Sequence, residues 1–346
     1  MQYLIIAGIL IASLASVLGE QVTWSKIAPY FTNDNKDFVL FNNSYGEPVF
    51  VSLRVVEQSK PINLSLEGLI KYYLYTSKNS QKFQELWKND KPSLTTSNFD
   101  ASKKTIFVIH GYMNNIYSDS IQSIKNNVLK QEDINVIGVD WSLISDHLFY
   151  HIIAAEVPGV GAHVSEFVSF LMSNGLKYKD IHMIGHSLGA HVASFAAKNL
   201  KTGKFARLTG LDAALPGFEK TTHDQRLNPD DAEFVDCVHT CGGVLGFLEP
   251  LCQVDFYANG GTNVQPGCPW ADFGSCSHGR AHEYFAESIL KDHKFPSLSC
   301  PSLPGTTHVN CTADGALMGY PATNRYLGIH YTQTNSSYPY ALVKMA

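Results

Sequence analysis

Short apolar runs recur along the middle of the chain, separated by segments in which the apolar residues have a different spacing. Five runs have the length of a strand and are almost continuously apolar: 72–76, 104–109, 134–140, 181–184 and 206–212. Such runs are typical of strands buried on both faces of a parallel sheet. Between them, the segments 120–130, 162–172 and 190–200 carry apolar residues three or four positions apart, as helices do. The alternation predicts an α/β fold with a mostly parallel central sheet and helices on both faces.

The pattern is weaker towards both ends of the chain. Residues 20–67 contain polar clusters without a clear period, and we assign no function to this N-terminal segment. After residue 215 proline, glycine and cysteine become frequent, and one further helix is expected at 280–290. Because no linker composition marks a boundary, we predict a single domain over 68–340.

The first residues indicate export from the cell. Positions 4–18 are almost wholly apolar, and polar residues follow at once. A stretch of about fifteen apolar residues is too short to cross a bilayer but suits a signal peptide, although no Lys or Arg precedes it. We therefore predict a signal peptide over 1–19 and a secreted, extracellular protein.

Seven cysteines agree with export. All of them lie between residues 237 and 311, so in an oxidising compartment we expect disulfides that staple the C-terminal third. Because the number is odd, one thiol should stay unpaired. Sequons for N-linked glycosylation begin at Asn42, Asn63 and Asn335, and the sequon at Asn310 is a weaker candidate because a cysteine follows directly.

Composition and charge exclude some functions. Of the 346 residues 45% are hydrophobic, which is enough for a large core. The formal net charge is −5 and no long basic run is present, so we expect neither a nucleic-acid partner nor strong attraction to anionic membranes. The cluster of Cys237, His239 and Cys241 has zinc-ligand chemistry, but secretion favours disulfides and the sequence has no His-Glu-x-x-His motif. Neither a metal nor a cofactor is expected.

The segment Gly185–Gly189, Gly-His-Ser-Leu-Gly, carries the strongest chemical signal. A Gly-x-Ser-x-Gly motif places serine on a sharp turn between a strand and a helix, and the glycines leave room for the backbone. An expected strand precedes this motif and an expected helix follows it, so Ser187 is the candidate nucleophile. The Leu188 N–H is then a candidate oxyanion donor. The turn 110–112 would supply a second donor, the Tyr112 N–H, or is an ordinary turn.

A serine nucleophile needs a base, and the base needs an orienting carboxylate. Asp212 ends the next expected strand, so its carboxylate would stand at the same sheet edge as Ser187. The aspartates that follow in a polar stretch are expected to be solvated: Asp224, Asp230, Asp231 and Asp236. Seven histidines follow Asp212, and the residues alone do not choose among them: His223, His239, His278, His282, His293, His308 and His330. His278 lies on an expected loop just before a helix, a position that suits a base.

Longer strings carry a family resemblance over about residues 68–338. These strings are Tyr73–Thr76, Phe107–Tyr112, Gly185–His191, Gly210–Asp212, Val254–Gly261, Gln265–Cys268 and Cys276–Ala281. In them the chain resembles the animal lipase family that includes pancreatic lipase, and especially its insect and venom phospholipase A1 branch. The resemblance implies an α/β-hydrolase fold and a serine ester hydrolase that uses no cofactor.

The same resemblance implies roles for individual residues. Asp212 and His278 become the partners of Ser187, and the N–H groups of Tyr112 and Leu188 become the oxyanion hole. The implied disulfides are Cys241–Cys252, Cys268–Cys276 and Cys300–Cys311, with Cys237 as the leftover buried thiol.

Loop lengths bear on the substrate. In this family a lid lies between the cysteines that match Cys268 and Cys276, and members that attack triacylglycerol droplets have a much longer one. Here the lid has seven residues: Pro269, Trp270, Ala271, Asp272, Phe273, Gly274 and Ser275. The loop 241–252 is short as well. Two short loops resemble the phospholipase A1 type, in which an open cleft admits a polar headgroup; the lid aromatics either contact acyl chains or pack the loop.

We therefore expect a phospholipase A1 that releases the sn-1 fatty acid from phospholipids at a membrane or micelle surface. The alternatives are a neutral triacylglycerol lipase or a galactolipase with the same site, and a catalytically silent lipid-binding protein of the yolk type, which we would expect to have lost triad residues. The chain ends at residue 346 and has no room for the C-terminal β-sandwich domain of pancreatic lipase, so no colipase partner is expected.

Overall fold

An eleven-stranded sheet organises the protein. The computed structural model describes residues 38–43, 47–53, 65–269, 272–303 and 310–344, and from residue 39 onwards they belong to one compact unit. The strands are β1 (Phe38–Asn42), β2 (Pro48–Ser52), β3 (Lys71–Tyr75), β4 (Gln84–Leu86), β5 (Thr105–Ile109), β6 (Asn135–Asp140), β7 (Ile181–His186), β8 (Phe205–Leu211), β9 (Ala232–His239), β10 (Val254–Ala258), β11 (His293–Lys294), β12 (Pro296–Cys300), β13 (Thr312–Leu317), β14 (Gly328–Thr332) and β15 (Val343–Lys344). The large sheet has the order β13-β12-β14-β10-β9-β8-β7-β5-β6-β3-β4, while β1 with β2 and β11 with β15 form separate pairs.

The middle of the large sheet is parallel. Neighbouring strands from β14 to β6, in the order given, all run in the same direction. Antiparallel strands occur only towards the two edges, where β3 and β4 extend one side and β12 and β13 the other. The five apolar runs correspond to β3, β5, β6, β7 and β8, so the prediction of a mostly parallel central sheet is confirmed.

Helices cover both faces of the sheet, as the pattern predicts. They are α1 (Lys91–Thr95), α2 (Asp119–Gln131), α3 (Ser142–Ser145), α4 (Tyr150–Ser173), α5 (Leu188–Lys198) and α6 (Ser275–Ser288). The buried side chains of α4 and α5 belong to one core cluster, and those of α2 and α6 belong to another. Along β5, Phe107 and Ile109 lie in the first cluster while Ile106 and Val108 lie in the second. A strand covered on both sides needs apolar residues at every position, which explains the continuous runs.

One helix is longer than its prediction. The helix expected at 162–172 is the second half of α4, and Pro158 lies inside its first half. Proline usually marks the end of a helical pattern, but buried residues at helical spacing continue through it, among them Tyr150 and Val157. A Cβ on Gly161 would lie 2.3 Å from the Phe195 Cβ, so this glycine lets α4 and α5 pack closely. None of the described helices has the length and apolar character required to cross a membrane.

The helix expected at 280–290 begins earlier, at Ser275. The Asp272 carboxylate accepts hydrogen bonds from the N–H groups of Gly274 and Cys276, at 3.0 and 2.7 Å. These bonds satisfy donors that the first turn of a helix leaves without partners. His278 therefore lies in the first turn of α6, and the expectation that it lies on a loop is wrong.

Part of the unpatterned N-terminal segment contributes to the core. Four of its side chains are buried in the cluster that also contains α4 and α5: Val39, Phe41, Val51 and Leu53. The ring of Phe41 packs edge-on against Tyr112, with centroids 5.3 Å apart. Phe41 therefore supports the turn after β5, which the unpatterned sequence around it did not indicate.

The export features lie largely outside the described structure. The expected signal peptide and Asn63 fall outside the described residues, and the side chain of Asn42 is not described. Asn335 is exposed, and its Nδ2 donates to the Pro339 carbonyl at 2.9 Å. A glycan on this nitrogen would replace that hydrogen bond.

Two aspartates that were expected to be solvated are buried instead. Asp236 accepts hydrogen bonds from Arg207 Nε and Nη2, both at 2.8 Å. Asp231 pairs with Lys198, whose Nζ lies 2.7 Å from Oδ1. Burial of a carboxylate is tolerable where a cation and further donors surround it, and here both conditions hold.

Three disulfides staple the C-terminal third, and one predicted pairing is wrong. Cys268–Cys276 and Cys300–Cys311 form as expected, but Cys252 pairs with Cys237 and leaves Cys241 as the buried free thiol. Asp255 of β10 lies opposite Cys237 of β9, and its carboxylate accepts the N–H of Cys252 just before β10, which leaves the Cα atoms of Cys237 and Cys252 5.8 Å apart. Cys241 lies beyond the end of β9, where its Sγ contacts the Gly274 carbonyl.

This pairing predicts a simple labelling pattern. Iodoacetamide should leave the native protein unmodified, because Cys241 is fully buried and burial also raises the pKa of its thiol. After unfolding in denaturant without a reductant, the label should appear on Cys241 alone, as read by peptide mass spectrometry. Label on Cys237 under the same conditions would contradict the pairing.

Candidate active site

Three neighbouring parallel strands bring the candidate residues to one edge of the sheet. β5, β7 and β8 lie side by side, with Ile109 opposite Gly185 and Gly185 opposite Gly210. Their carboxyl ends therefore finish at the same level, and Ser187 and Asp212 follow β7 and β8 directly. Polar groups that follow parallel strands in this way are the usual material of ligand sites in α/β sheets.

Ser187 occupies a strained turn between β7 and α5. Its φ and ψ are 58° and −125°, a conformation that non-glycine residues rarely adopt. Its N–H donates to the Leu211 carbonyl at 3.0 Å, and its own carbonyl accepts from the Ala214 N–H at 3.3 Å. A non-glycine residue in such a conformation costs on the order of 1–3 kcal/mol, so the surrounding bonds must hold it there.

The turn at Ser187 is packed so closely that its neighbouring glycines leave no room for a side chain. A Cβ on Gly189 would lie 2.3 Å from the Ile109 carbonyl oxygen, and one on Gly185 would lie 2.2 Å from the Gly189 oxygen. A Cβ on Gly111 would lie 2.6 Å from the Cβ of Ser187 itself. The turn after β5 thus lies directly against the candidate nucleophile.

A buried carboxylate orients the candidate base. Oδ2 of Asp212 lies 2.6 Å from Nδ1 of His278, while Oδ1 accepts the N–H groups of Thr240 and Cys241 at 2.8 and 2.9 Å. An ionised carboxylate only accepts, so Nδ1 of His278 carries the proton and Nε2 carries the lone pair. A Cβ on Gly246 would lie 2.5 Å from the carboxylate, so no side chain fits there.

A second histidine fixes the backbone of the first. Nε2 of His186 lies 3.0 Å from the His278 carbonyl oxygen, and the two rings lie 4.6 Å apart. A carbonyl oxygen only accepts, so Nε2 of His186 is the protonated nitrogen. This bond joins the last residue of β7 to the first turn of α6 and holds His278 beside Ser187.

Two backbone N–H groups are free where an oxyanion would form. Among the described residues, neither the Tyr112 N–H nor the Leu188 N–H has a hydrogen-bond acceptor. Leu188 is the first residue of α5, so its N–H belongs to the positive end of the helix. The Tyr112 side chain is tied down by a hydrogen bond from its hydroxyl to the His147 carbonyl at 2.6 Å.

The turn that presents Tyr112 is clamped from the end of β6. The Trp141 Nε1–H donates to the His110 carbonyl at 2.8 Å, and the Trp141 backbone N–H donates to Nε2 of His110 at 3.1 Å. Asp140 also contacts Nε2 of His110, at 3.2 Å. Burial alone would raise the pKa of Asp140, but contacts with His110 and Ser142 outweigh it and lower the pKa to about 2. A fixed turn suits a preorganised oxyanion donor.

A cleft of about 420 Å³ opens beside Ser187. Its wall is mainly polar, and it includes groups on both sides of the nucleophile: Phe41, Asn43, Gly111, Tyr112, Asn114, Asn115, Tyr117, Ser118, Asp119, Ser120, His186, Ser187, Ser275, His278, Gly279, His282 and Glu283. Ser187 and His278 thus share one cavity, and the loop before α2 faces the first turns of α6 across it. Such an arrangement of nucleophile, base and acid can carry out acyl transfer to and from serine.

The short lid is partly described. Cys268 and Cys276 bracket it with Cα atoms 5.6 Å apart, and its second half already leads into α6 through the bonds of Asp272. Phe273 is half-buried and packs against the core cluster, while Pro269 is exposed. Trp270 and Ala271 lie outside the described residues. Of the two lid aromatics, Phe273 packs the loop inwards.

The cleft contains residues that the sequence did not single out for it. His186 is the residue before Ser187 in the serine motif, at the end of β7. His282 lies four positions after His278 on α6, and Asp119 is the first residue of α2. The four-residue spacing on one helix face is a signal that could have indicated His282. Asp119 offered no such signal, because it reaches the cleft through the packing of α2 against α6.

One group of possible metal ligands occurs among the described residues: Cys237, Cys252 and Asp255. The two sulfurs are joined in a disulfide, so they are not the thiolates that a zinc site of this kind requires.

Among known proteins, the chain is similar to lipases. A family model described as "Lipase" matches residues 49–340. "Pancreatic triacylglycerol lipase" of Homo sapiens is 35% identical over 264 residues, which cover 70% of this chain and 56% of that protein. "Inactive pancreatic lipase-related protein 1" of Canis lupus familiaris is 36% identical over 255 residues, 67% of this chain and 54% of that protein. The chain spans about half the length of the curated relatives it matches.

Among solved structures, an acetyl xylan esterase from Aspergillus awamori is similar over 56% of this chain and 74% of its own, with a TM-score of 0.32 and 12% identity. The similarity extends over only part of the fold.

The contact between Gly111 and Ser187 predicts the effect of one methyl group. Gly111→Ala should lower kcat for p-nitrophenyl butyrate by about 100-fold, because the added Cβ must push Ser187 out of place. Gly279→Ala is the matched control on the same cleft wall, since its Cβ would meet only Nε2 of His282, at 3.5 Å. Thermal unfolding, monitored by circular dichroism, shows whether both variants fold. Equal rates in the two folded variants would contradict the close contact.

Proposed function

The chain belongs to the lipase family, and on that premise we propose that it is a secreted phospholipase A1 that cleaves the sn-1 ester through an acyl-enzyme on Ser187. The observation that carries this proposal is the 2.6 Å contact of His278 Nδ1 with Asp212, beside a serine on a strained turn. It gives the base a fixed tautomer with Nε2 free to take a proton.

In the proposed reaction, Nε2 of His278 takes the hydroxyl proton as Ser187 attacks the ester carbonyl. The Asp212 carboxylate stabilises the imidazolium that results, and the N–H groups of Tyr112 and Leu188 hold the oxyanion. His278 then gives its proton to the lysolipid alcohol, which leaves. A water molecule, deprotonated by His278, attacks the acyl-enzyme, and the fatty acid is released as Ser187 regains its proton. No cofactor enters any step.

Apolar side chains beside the cleft support a lipid substrate. Leu143, Leu148 and Phe149 are exposed at 65%, 51% and 54%. Their segment lies against the turn after β5, because the Ser145 carbonyl accepts the Met113 N–H at 3.1 Å. Exposed apolar groups next to a hydrolytic site are typical of a surface that meets lipid. Secretion belongs to the same proposal and rests on the apolar N-terminus.

Two features favour a phospholipid over a triacylglycerol. The lid has only seven residues, which offer little apolar surface to a droplet. The cleft wall is mainly polar, so it suits a headgroup better than a third acyl chain. Triacylglycerol lipolysis remains the second candidate, because the human relative carries that name. A galactolipid also fits a polar cleft.

The product profile from a mixed-chain phosphatidylcholine tests the proposal. With palmitate at sn-1 and oleate at sn-2, the protein should release palmitate and leave the 2-oleoyl lysolipid, as measured by mass spectrometry. Triolein should be hydrolysed at least about tenfold more slowly. One of its acyl chains would have to displace water from the mainly polar cleft, at a cost on the order of 1–3 kcal/mol for each polar group left unpaired. Ser187→Ala is the control for contaminating activity. Oleate as the main product, or faster turnover of triolein, would overturn the assignment.

A catalytically silent role is the third candidate, because the dog relative is named inactive. A fluorophosphonate probe, which reacts with an active serine, distinguishes a hydrolase from a catalytically silent protein. The folded protein should form an adduct on Ser187, found by peptide mass spectrometry, and Asp212→Asn should slow its formation by about 10⁴-fold because the base then loses its tautomer. Heat-denatured protein is the control. A folded protein without the adduct would favour the silent role.

A further inference from the structure

The cleft beside Ser187 has an unequal distribution of charge. Of its lining residues, Asp119 and Glu283 carry carboxylates, and none is a Lys or an Arg. Glu283 is paired with Arg280, which lies outside the cleft lining and whose Nη1 is 2.5 Å away, and it also accepts a hydrogen bond from the Tyr340 hydroxyl at 2.6 Å. Asp119 is exposed and has no ion-pair partner among the described residues. The cleft lining therefore carries one carboxylate that is not paired with a cation in the described structure, at the first residue of α2.

Two histidines of the cleft lining, His186 and His282, add no positive charge to it. His186 is 7% exposed, and its Nδ1 is buried with no hydrogen-bond partner in the described structure. Because Nε2 donates to the His278 carbonyl, Nδ1 carries a lone pair. Burial lowers the pKa of His186 well below its usual value, so the ring stays neutral. Nδ1 of His282 is also buried without a partner, and burial lowers the pKa of that ring to about 4.

An aromatic ring stands at the rim. Tyr117 is 69% exposed, and it lines the cleft two residues before Asp119. The face of a tyrosine ring attracts cations, and a carboxylate beside it adds to that attraction. A negative charge and a ring face at the rim together fit a cationic headgroup, whether or not its nitrogen carries hydrogens.

We infer that this cleft is a headgroup subsite that selects phospholipids with an ammonium group, choline or ethanolamine, over anionic phospholipids. The inference rests on the proposed function, because it assumes that the glycerol backbone lies at Ser187. Asp119 and Tyr117 hold the ammonium group at the rim. An anionic headgroup meets the Asp119 carboxylate with no cation in the cleft to offset it. Selectivity therefore resides in Asp119, which takes no part in the chemistry at Ser187.

The test compares lipids that differ only in the headgroup, presented in micelles of an uncharged detergent. The wild-type protein should cleave phosphatidylcholine and phosphatidylethanolamine faster than phosphatidylglycerol. Asp119→Asn should lower kcat/KM for the first two by about threefold through KM, and should leave phosphatidylglycerol unchanged or faster. Asp119→Lys should reverse the order. High salt should weaken the preference, because Asp119 is exposed.

The matched control is Asp292→Asn. It removes the same charge from an exposed position beyond the far end of α6, about 20 Å along the helix from Ser275. If Asp292→Asn changed the lipid preference as much as Asp119→Asn, or if Asp119→Asn slowed all three lipids equally, the subsite would be overturned.

A second readout does not depend on phospholipid hydrolysis. Glycerophosphocholine should slow fluorophosphonate labelling of Ser187 in the wild-type protein more than glycerophosphoglycerol does, and Asp119→Lys should abolish the difference. If the proposed function is wrong, the result is different: neither the zwitterionic nor the anionic phospholipids are cleaved, while triolein is. Under that outcome, equal protection by the two headgroup compounds overturns the subsite, and preferential protection by glycerophosphocholine supports it.

Discussion

The buried carboxylate of Asp212 is the interaction on which the site depends. It accepts two backbone N–H groups on one oxygen and Nδ1 of His278 on the other, and it has no contact with solvent. A carboxylate buried without such partners would be strongly unfavourable, so the chain must bring all three donors to it. Those donors belong to the segment after β9 and to α6. One side chain thus ties the end of β8 to two distant parts of the sequence.

The backbone around this carboxylate is strained at two positions, the candidate nucleophile and the candidate acid. Ser187 has φ 58° and Asp212 has φ 46°, and neither is a glycine. Each costs on the order of 1–3 kcal/mol, which the local hydrogen bonds and the two-sided core must offset. The glycines at 111, 185 and 189 leave no spare volume in which the turn could relax. Strain and close packing together fix where the hydroxyl points, which is what a preorganised nucleophile requires.

The sequence was informative wherever a local pattern is enough to determine the structure. Burial on both faces makes a parallel strand apolar throughout, so β5, β7 and β8 could be found. The Gly-x-Ser-x-Gly motif after β7 then led to Ser187, and the end of β8 led to Asp212. Features that depend on contacts between distant segments could not be found in this way. Cys252 meets Cys237 because Asp255, opposite Cys237 in the sheet, holds the turn before β10. Helix α6 begins early because Asp272 accepts N–H groups at its start. The histidines downstream of Asp212 look alike until α6 brings one of them to the carboxylate.

Under the proposed function, the distribution of polar and apolar groups around Ser187 would divide a lipid substrate into two parts. A methylene gains about 0.8 kcal/mol from burial against apolar neighbours, but in the mainly polar cleft it would displace water from exposed polar groups, at a cost of about 1–3 kcal/mol for each one left unpaired. Acyl chains therefore gain little there and favour the exposed apolar side chains of Leu143, Leu148 and Phe149. These lie beside the turn that carries Tyr112, whereas Asp119 lines the cleft at the start of α2. Under the proposed function, different groups of the protein would therefore bind the acyl chain and the headgroup.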